Sequence, residues 1–180
     1  MFKKSIIALV SFGIILVPNA ASASSHAKTL KNLGMSEIMF AQMMIPHHEQ
    51  AISMSETALK KSRNQGILKL SRQIKSMQSS EISQLTYWLK ATNSSMTMDH
   101  DMKMSGMLTT KELASLKRLS GADFDRAFLQ LMVKHHLGAI EMLDLISDSR
   151  NAEAKALSKA INSAQTKEIN SMKLLLDKLK

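Results

Sequence analysis

The sequence predicts an all-α protein: an antiparallel four-helix bundle made of two duplicated helical hairpins joined by a long, Met-rich crossover. Three observations lead there. Beyond residue 23 the only proline is Pro46, and glycine occurs only at 34, 66, 106, 121 and 138, so little interrupts helix between those positions. Apolar residues recur every three to four positions, and no alternating run of strand type is present. Finally, one pattern occurs twice. Phe40-Ala-Gln-Met-Met-Ile-Pro-His-His-Glu-Gln-Ala-Ile-Ser-Met54 aligns with Phe128-Leu-Gln-Leu-Met-Val-Lys-His-His-Leu-Gly-Ala-Ile-Glu-Met142, and Leu70, Ser71, Ile74, Gln78 and Glu81 recur as Leu157, Ser158, Ile161, Gln165 and Glu168. A helical hairpin with one apolar face cannot bury it alone, whereas two related hairpins cover each other.

Taken in order, residues 1–23 read as a secretory signal peptide. Lys3 and Lys4 precede the apolar run Ser5 to Val17, followed by Pro18 and an Ala21-Ser22-Ala23 cleavage signal. The run is shorter than the roughly 20 residues that span a bilayer, so an exported, periplasmic or secreted product with no transmembrane span after cleavage is expected. Residues 24–35 form a flexible N-terminal segment and 36–180 the bundle domain. Long helices are expected over 36–63, 67–92, 123–147 and 152–179, with a shorter one over 110–119 inside the crossover, 93–122. Thr109 with Glu112 fits a capping box, and Asp123 and Asn151 stand where N-caps belong. The turns at 64–66 and 149–151 are short enough to force antiparallel hairpins.

Composition limits the chemistry. There is no Cys, which excludes disulfide scaffolds, thiol catalysis and thiolate-bound metals. The formal charge is +9, yet the lysines are scattered and the aromatics few, so the basic residues read as solvated helix surface and no nucleic-acid partner is expected. Any metal must be held by His, Met or carboxylate.

Those donors are concentrated in three places. On the first helix Phe40, Met43, Met44, His47, Ala51 and Met54 share one face, and His135 occupies the twin position of His47 beside Met132 and Met142. His48 and His136 are turned about 100° from that seam, with Met44 and Met132 one turn before them. Glu81 and Glu168 lie on apolar stripes of the second helix of each hairpin. Each is expected to accept a hydrogen bond from a seam histidine and thereby orient it as a metal ligand; a metal-free His–Glu tie is the plainer alternative. In the crossover, Met96, Met98, His100, Met102, Met104 and Met107 gather five Met and one His in 12 residues among polar neighbours. Thioether is a soft, uncharged donor that favours Cu(I), and Ag(I) by similar softness. Cleavage after Ala23 would expose Ser24-Ser25-His26, whose amine, amides and imidazole suit square-planar Cu(II).

The stretches Met44-Ile-Pro-His-His-x-x-Ala-Ile-x-Met54 and Met132-Val-Lys-His-His-x-x-Ala-Ile-x-Met142, with Gly121-Ala-Asp-Phe-Asp-Arg-Ala-Phe128, resemble the CopM-like family of exported proteins, a ferritin-like domain of unknown function. The resemblance covers about residues 36–179. It implies a ferritin-like four-helix fold and, for some members, periplasmic copper binding through Met and His. Met43, Met44, His47 and His48 match in the first copy, and Met132, His135, His136 and Met142 in the second. Leu131 stands where the first copy has Met43, and Lys134 where it has Pro46.

The expected function is therefore copper binding: capture of Cu(I), or Ag(I), by the crossover and retention by the paired histidines, for sequestration or for transfer to another copper-trafficking protein. No catalytic turnover is expected, because no nucleophile–base–orienter set is evident. Two rivals are a ferritin-like di-metal oxidoreductase, for which the usual Glu-x-x-His motif is missing, and a metal-free envelope protein that binds a partner through its Met surface.

Overall fold

The computed structural model describes residues 32–98 and 104–179. The proposed signal peptide, His26, His100 and Met102 lie outside the described residues. Five α-helices follow in order: α1 (Met35–Lys61), α2 (Gln65–Ala91), α3 (Thr110–Arg118), α4 (Gly121–Met142) and α5 (Ala152–Lys178), with a 3-10 turn at Leu143–Leu145 between the last two. Among the described residues there is no strand. Helices α1 and α2 form one hairpin and α4 and α5 the other; α1 packs on α4, whereas α2 and α5 barely touch. None of these helices is long and apolar enough to cross a membrane.

Local signals set most boundaries. Asn151 caps α5 by accepting from the backbone N–H of Glu153 and Ala154, and Thr109 and Glu112 form the expected box at α3. Asn64 does the same at α2, accepting from Gly66 and Ile67; the helix thus begins at Gln65, two residues earlier than expected, and the turn is shorter than the sequence implies. Asp123 is not a cap. Helix α4 starts at Gly121 after Ser120, which leaves Asp123 in the first turn, where its charge still complements the helix dipole. The same helix stops at Met142 and tightens into the 3-10 turn rather than running to 147. Pro46 is accommodated within a continuous α1.

The apolar core is split into two clusters. One joins the N-terminal part of α1 (Phe40, Met43, Met44), the C-terminal parts of α2 (Leu85, Trp88, Leu89) and α4 (Ala139, Met142), and the start of α5 (Ala154, Leu157, Ile161). The other joins the opposite halves: Ala51 and Met54, Ile67 to Ile74, Phe124 to Met132, and Ile169 with Met172. Neighbouring helices are therefore antiparallel, as predicted. Twin residues also fall in opposite clusters, Phe40 in one and Phe128 in the other, which places a pseudo-twofold axis across the bundle between α1 and α4.

Candidate metal centre

Between the two apolar clusters every long helix contributes polar side chains: His47 and His48 from α1, Gln78 and Glu81 from α2, His135 and His136 from α4, Gln165 and Glu168 from α5. All four histidines have no exposed surface. His47 and His135 meet across the axis with ring centroids 3.8 Å apart and planes tilted 38°. His48 Nε2 lies 2.8 Å from Glu81 Oε2, and His136 Nε2–H donates to Glu168 Oε2 at 2.7 Å. The glutamates thus engage the second histidine of each pair, Glu168 through a hydrogen bond and Glu81 through a close ion-pair contact. Sequence reasoning gave them the seam histidine, which is incorrect. Helix α1 stands between α2 and α4, so residues about 100° apart on it face different neighbours, His47 toward α4 and His48 toward α2.

Electrostatics separate the two kinds of histidine. Burial, reinforced by the nearby His48, drops the pKa of His47 from 6.5 to about 3, although the Ser105 carbonyl opposes this. Burial and the neighbouring imidazoles also push His135 well below the ordinary value. Both rings are therefore neutral at physiological pH and keep a lone pair, the form that binds metal. The Nδ1 atoms of all four histidines lack a hydrogen-bond partner, and so do His135 Nε2 and, despite its short distance to Glu81, His48 Nε2; the His47 backbone acts on His135 in the direction that raises its pKa, against the effect of burial. The amides of Gln78 and Gln165, both buried, are likewise unpartnered. These orphaned donors and acceptors cost stability unless something occupies them.

The methionines divide between the clusters. Met43, Met44 and Met142 lie in the first, and the crossover residues Met98 and Met104 pack against it. Packing is thus part of the reason that the crossover is rich in methionine, contrary to the expectation from its polar neighbours. Met96 is exposed and Met107 half-buried. Met54 and Met132 sit in the second cluster beside Met172, which the candidate ligand set left out. Among the described residues no three His, Asp or Glu side chains converge on a common point, so a site here needs the thioethers or a rearrangement of the rings.

The crossover lies over the α1/α4 seam. Gln42 donates to the carbonyls of Ser95 and Thr97, His47 Nε2–H donates to the Ser105 carbonyl at 3.0 Å, and Gln50 makes two hydrogen bonds to Leu108. From the other side, Lys134 donates to Glu112 and the Ser105 hydroxyl donates to Glu141. Ser105, Gln50 and Gly138 were not among the candidates; the one hint in the sequence was Gly138 standing where the first copy has Gln50. The opposite seam, α2/α5, opens into a groove of about 410 Å³ that is lined by Met77, Ala164, Lys167 and Glu168 among others, so solvent reaches the carboxylate that holds His136.

This geometry has relatives. The profile of DUF305, a domain of unknown function, matches residues 37–176. The chain belongs to the DUF305 family. A DUF305 fragment from Deinococcus radiodurans is 28% identical, with a TM-score of 0.75 over 81% of this chain and 97% of that one. A DUF305 protein from Streptomyces coelicolor, described as secreted, is 26% identical with a TM-score of 0.76, covering 80% and 93%. CopM in its Cu(I)-bound form is 28% identical with a TM-score of 0.66, covering 79% and 96%; it has also been solved with Ag and with Cu(II). Among curated proteins none matches this chain. The DUF305 neighbours agree with the helical architecture, and CopM is described in Cu(I)-, Cu(II)- and Ag-bound forms.

Proposed function

We propose that this DUF305 protein is exported and binds copper, holding Cu(I), with Ag(I) as a close substitute, at the paired histidines in copper tolerance or homeostasis. The observation that carries this reading is the row of buried Nδ1 atoms without partners. Leaving a buried nitrogen unsatisfied costs roughly 1–3 kcal/mol, and the arrangement at His47 and His135 is reasonable if those lone pairs serve an ion. Neutral imidazole and thioether need not lose a proton to bind, which suits a compartment of variable pH. The similarity to CopM, solved with Cu(I), Cu(II) and Ag, supports the choice of metal, and the secreted description of the Streptomyces relative supports export.

In this reading the crossover thioethers Met96, Met98, Met102, Met104 and Met107, with His100, capture the ion, His47 and His135 retain it with Met43, Met44 or Met132 nearby, and a second copper-trafficking protein receives it. His48 and His136, tied to Glu81 and Glu168, brace the layer. That engagement of the glutamates favours binding without turnover over a carboxylate-bridged metal pair. The test is Cu(I) titration against a competing chelator, using the mature protein, a His47→Ala/His135→Ala variant, and a variant with the five crossover methionines replaced by serine. Tight binding by the first and a loss of at least about tenfold in each variant is expected. Undiminished binding in both variants would remove the site assignment, and stoichiometric iron with dioxygen consumption would replace the reading with an oxidoreductase.

A further inference from the structure

The two apposed imidazoles are twins in sequence but not in surroundings, and the difference bears on how an ion would enter between them; this inference rests on the reading of His47 and His135 as a metal-holding pair. A carbonyl oxygen only accepts, so the bond from His47 to Ser105 places the proton on Nε2 and the lone pair on Nδ1. No comparable bond holds His135. The Ser105 carbonyl reaches His47 because the chain passes unusually close to α4. Gly106 adopts a φ of +75°, and a Cβ on Gly138 would stand 2.2 Å from the Ser105 carbonyl oxygen and 2.4 Å from the Gly106 Cα. Only glycine permits such an approach. At the twin position Gln50 clamps the same strap through Leu108.

Two rings whose centroids lie 3.8 Å apart leave no room for an ion between them, and imidazole lone pairs lie in the ring planes. One ring must turn before both nitrogens face a common ion. The ring that no crossover carbonyl holds turns at less cost. We propose that the crossover strap around Ser105 fixes His47 in the Nε2–H tautomer as the anchored donor, presenting Nδ1, and leaves His135 as the donor that swings away from the His47 ring to meet Cu(I) or Ag(I). Gly138 is then a positioning residue: it touches no ion but admits the strap. Anchoring one ligand through its second nitrogen follows the general logic of outer-sphere support, whose loss costs about 10–100-fold in metal affinity.

Imidazole 15N NMR of the metal-free protein at neutral pH reads the strap directly. His47 should show a protonated Nε2 and an unprotonated Nδ1, and His135 an average of both tautomers. Gly138→Ala should convert His47 to the averaged pattern and lower Ag(I) affinity by about 10–100-fold. Gln50→Leu, which adds no atom at the close contact, should move both readouts the same way by less and guards against a Gly138 variant that fails to fold. On addition of Ag(I) to the wild type, the His135 signals should change environment while His47 keeps its Nε2 proton. A wild-type His47 that is averaged or protonated on Nδ1, in a protein that binds Ag(I) tightly, overturns the strap. A pinned His47 in a protein that takes up no Ag(I) overturns the metal reading and the donor roles with it.

Discussion

Hairpin α1/α2 and hairpin α4/α5 present the same His-His-Glu arrangement at the same height in the bundle, with His–Glu separations of 2.8 and 2.7 Å and both histidine pairs fully buried. They differ on the side turned toward the crossover. Pro46, Gln50 and Met43 of the first copy are replaced by Lys134, Gly138 and Leu131 in the second. Features made within a hairpin are duplicated faithfully; features that meet the crossover cannot be, because one strap has to serve both copies. The symmetric part builds the buried polar layer, and the asymmetric part distinguishes its two central histidines.

If the symmetry of the interior is real, twin core substitutions should cost the same. Phe40→Ala and Phe128→Ala, both at positions without exposed surface, should each lose about 3–5 kcal/mol in urea unfolding. A gap larger than about 2 kcal/mol between them would break the equivalence of the two apolar clusters. Glu81→Leu and Glu168→Leu come next. Each strands a buried imidazole and should cost roughly 1–3 kcal/mol, with Glu168→Gln recovering part of it by accepting the same hydrogen bond from His136. Unequal losses would show that the α2/α5 groove, which opens beside Glu168, lets water rescue one side.

Acid should expose the central pair. The pKa of His47 falls from 6.5 to about 3 on folding, mainly through burial, so the unfolded chain binds the proton more readily. That contribution to stability is fully present above pH 6.5 and is lost as the pH falls from there toward 3, at up to about 1.4 kcal/mol per pH unit for each such group. His135, shifted in the same direction by burial, adds to it. The midpoint of urea unfolding of the metal-free protein should drop between pH 6.5 and 4, and His47→Leu/His135→Leu should flatten that slope. An unchanged slope in the double variant would assign acid sensitivity to other groups.

The duplicated pattern made the bundle and its histidine pairs legible, since an apolar repeat at helical spacing that recurs 88 residues later fixes both elements and pairing. The glutamate partners were misassigned because a one-dimensional stripe cannot show that α1 is flanked on two sides. Burial of both His47 and His48 follows from that position, not from amphipathicity. The strap was invisible for another reason. Its bonds from His47 to Ser105 and from Gln50 to Leu108 join residues far apart in sequence, in a segment without periodicity, and a backbone carbonyl carries no residue signature. Gly138 was the trace it left.

The smallest effect concerns the outer edge of that strap. Lys134, in the place of Pro46, donates to Glu112 on α3, and this hydrogen bond is the first cause that lowers the Glu112 pKa to about 2, followed by the Thr109 backbone. Both side chains are substantially exposed, so water and salt screen the pair despite the shift. A Lys134→Ala/Glu112→Ala double-mutant cycle should give a coupling below about 1 kcal/mol, shrinking further in roughly 1 M salt, where the Debye length is about 3 Å. The cycle is needed because Glu112 also completes the box that caps α3, a loss that Glu112→Ala would suffer with or without Lys134. The Glu112 contribution should be present above pH 4.5 and vanish as the pH falls through 2. A coupling well above 1 kcal/mol would mean that α3 is pulled onto α4 by charge rather than by Leu116 packing in the second cluster, and the crossover would then depend on ionic strength at its outer edge as well as on hydrogen bonds at Gln50 and His47.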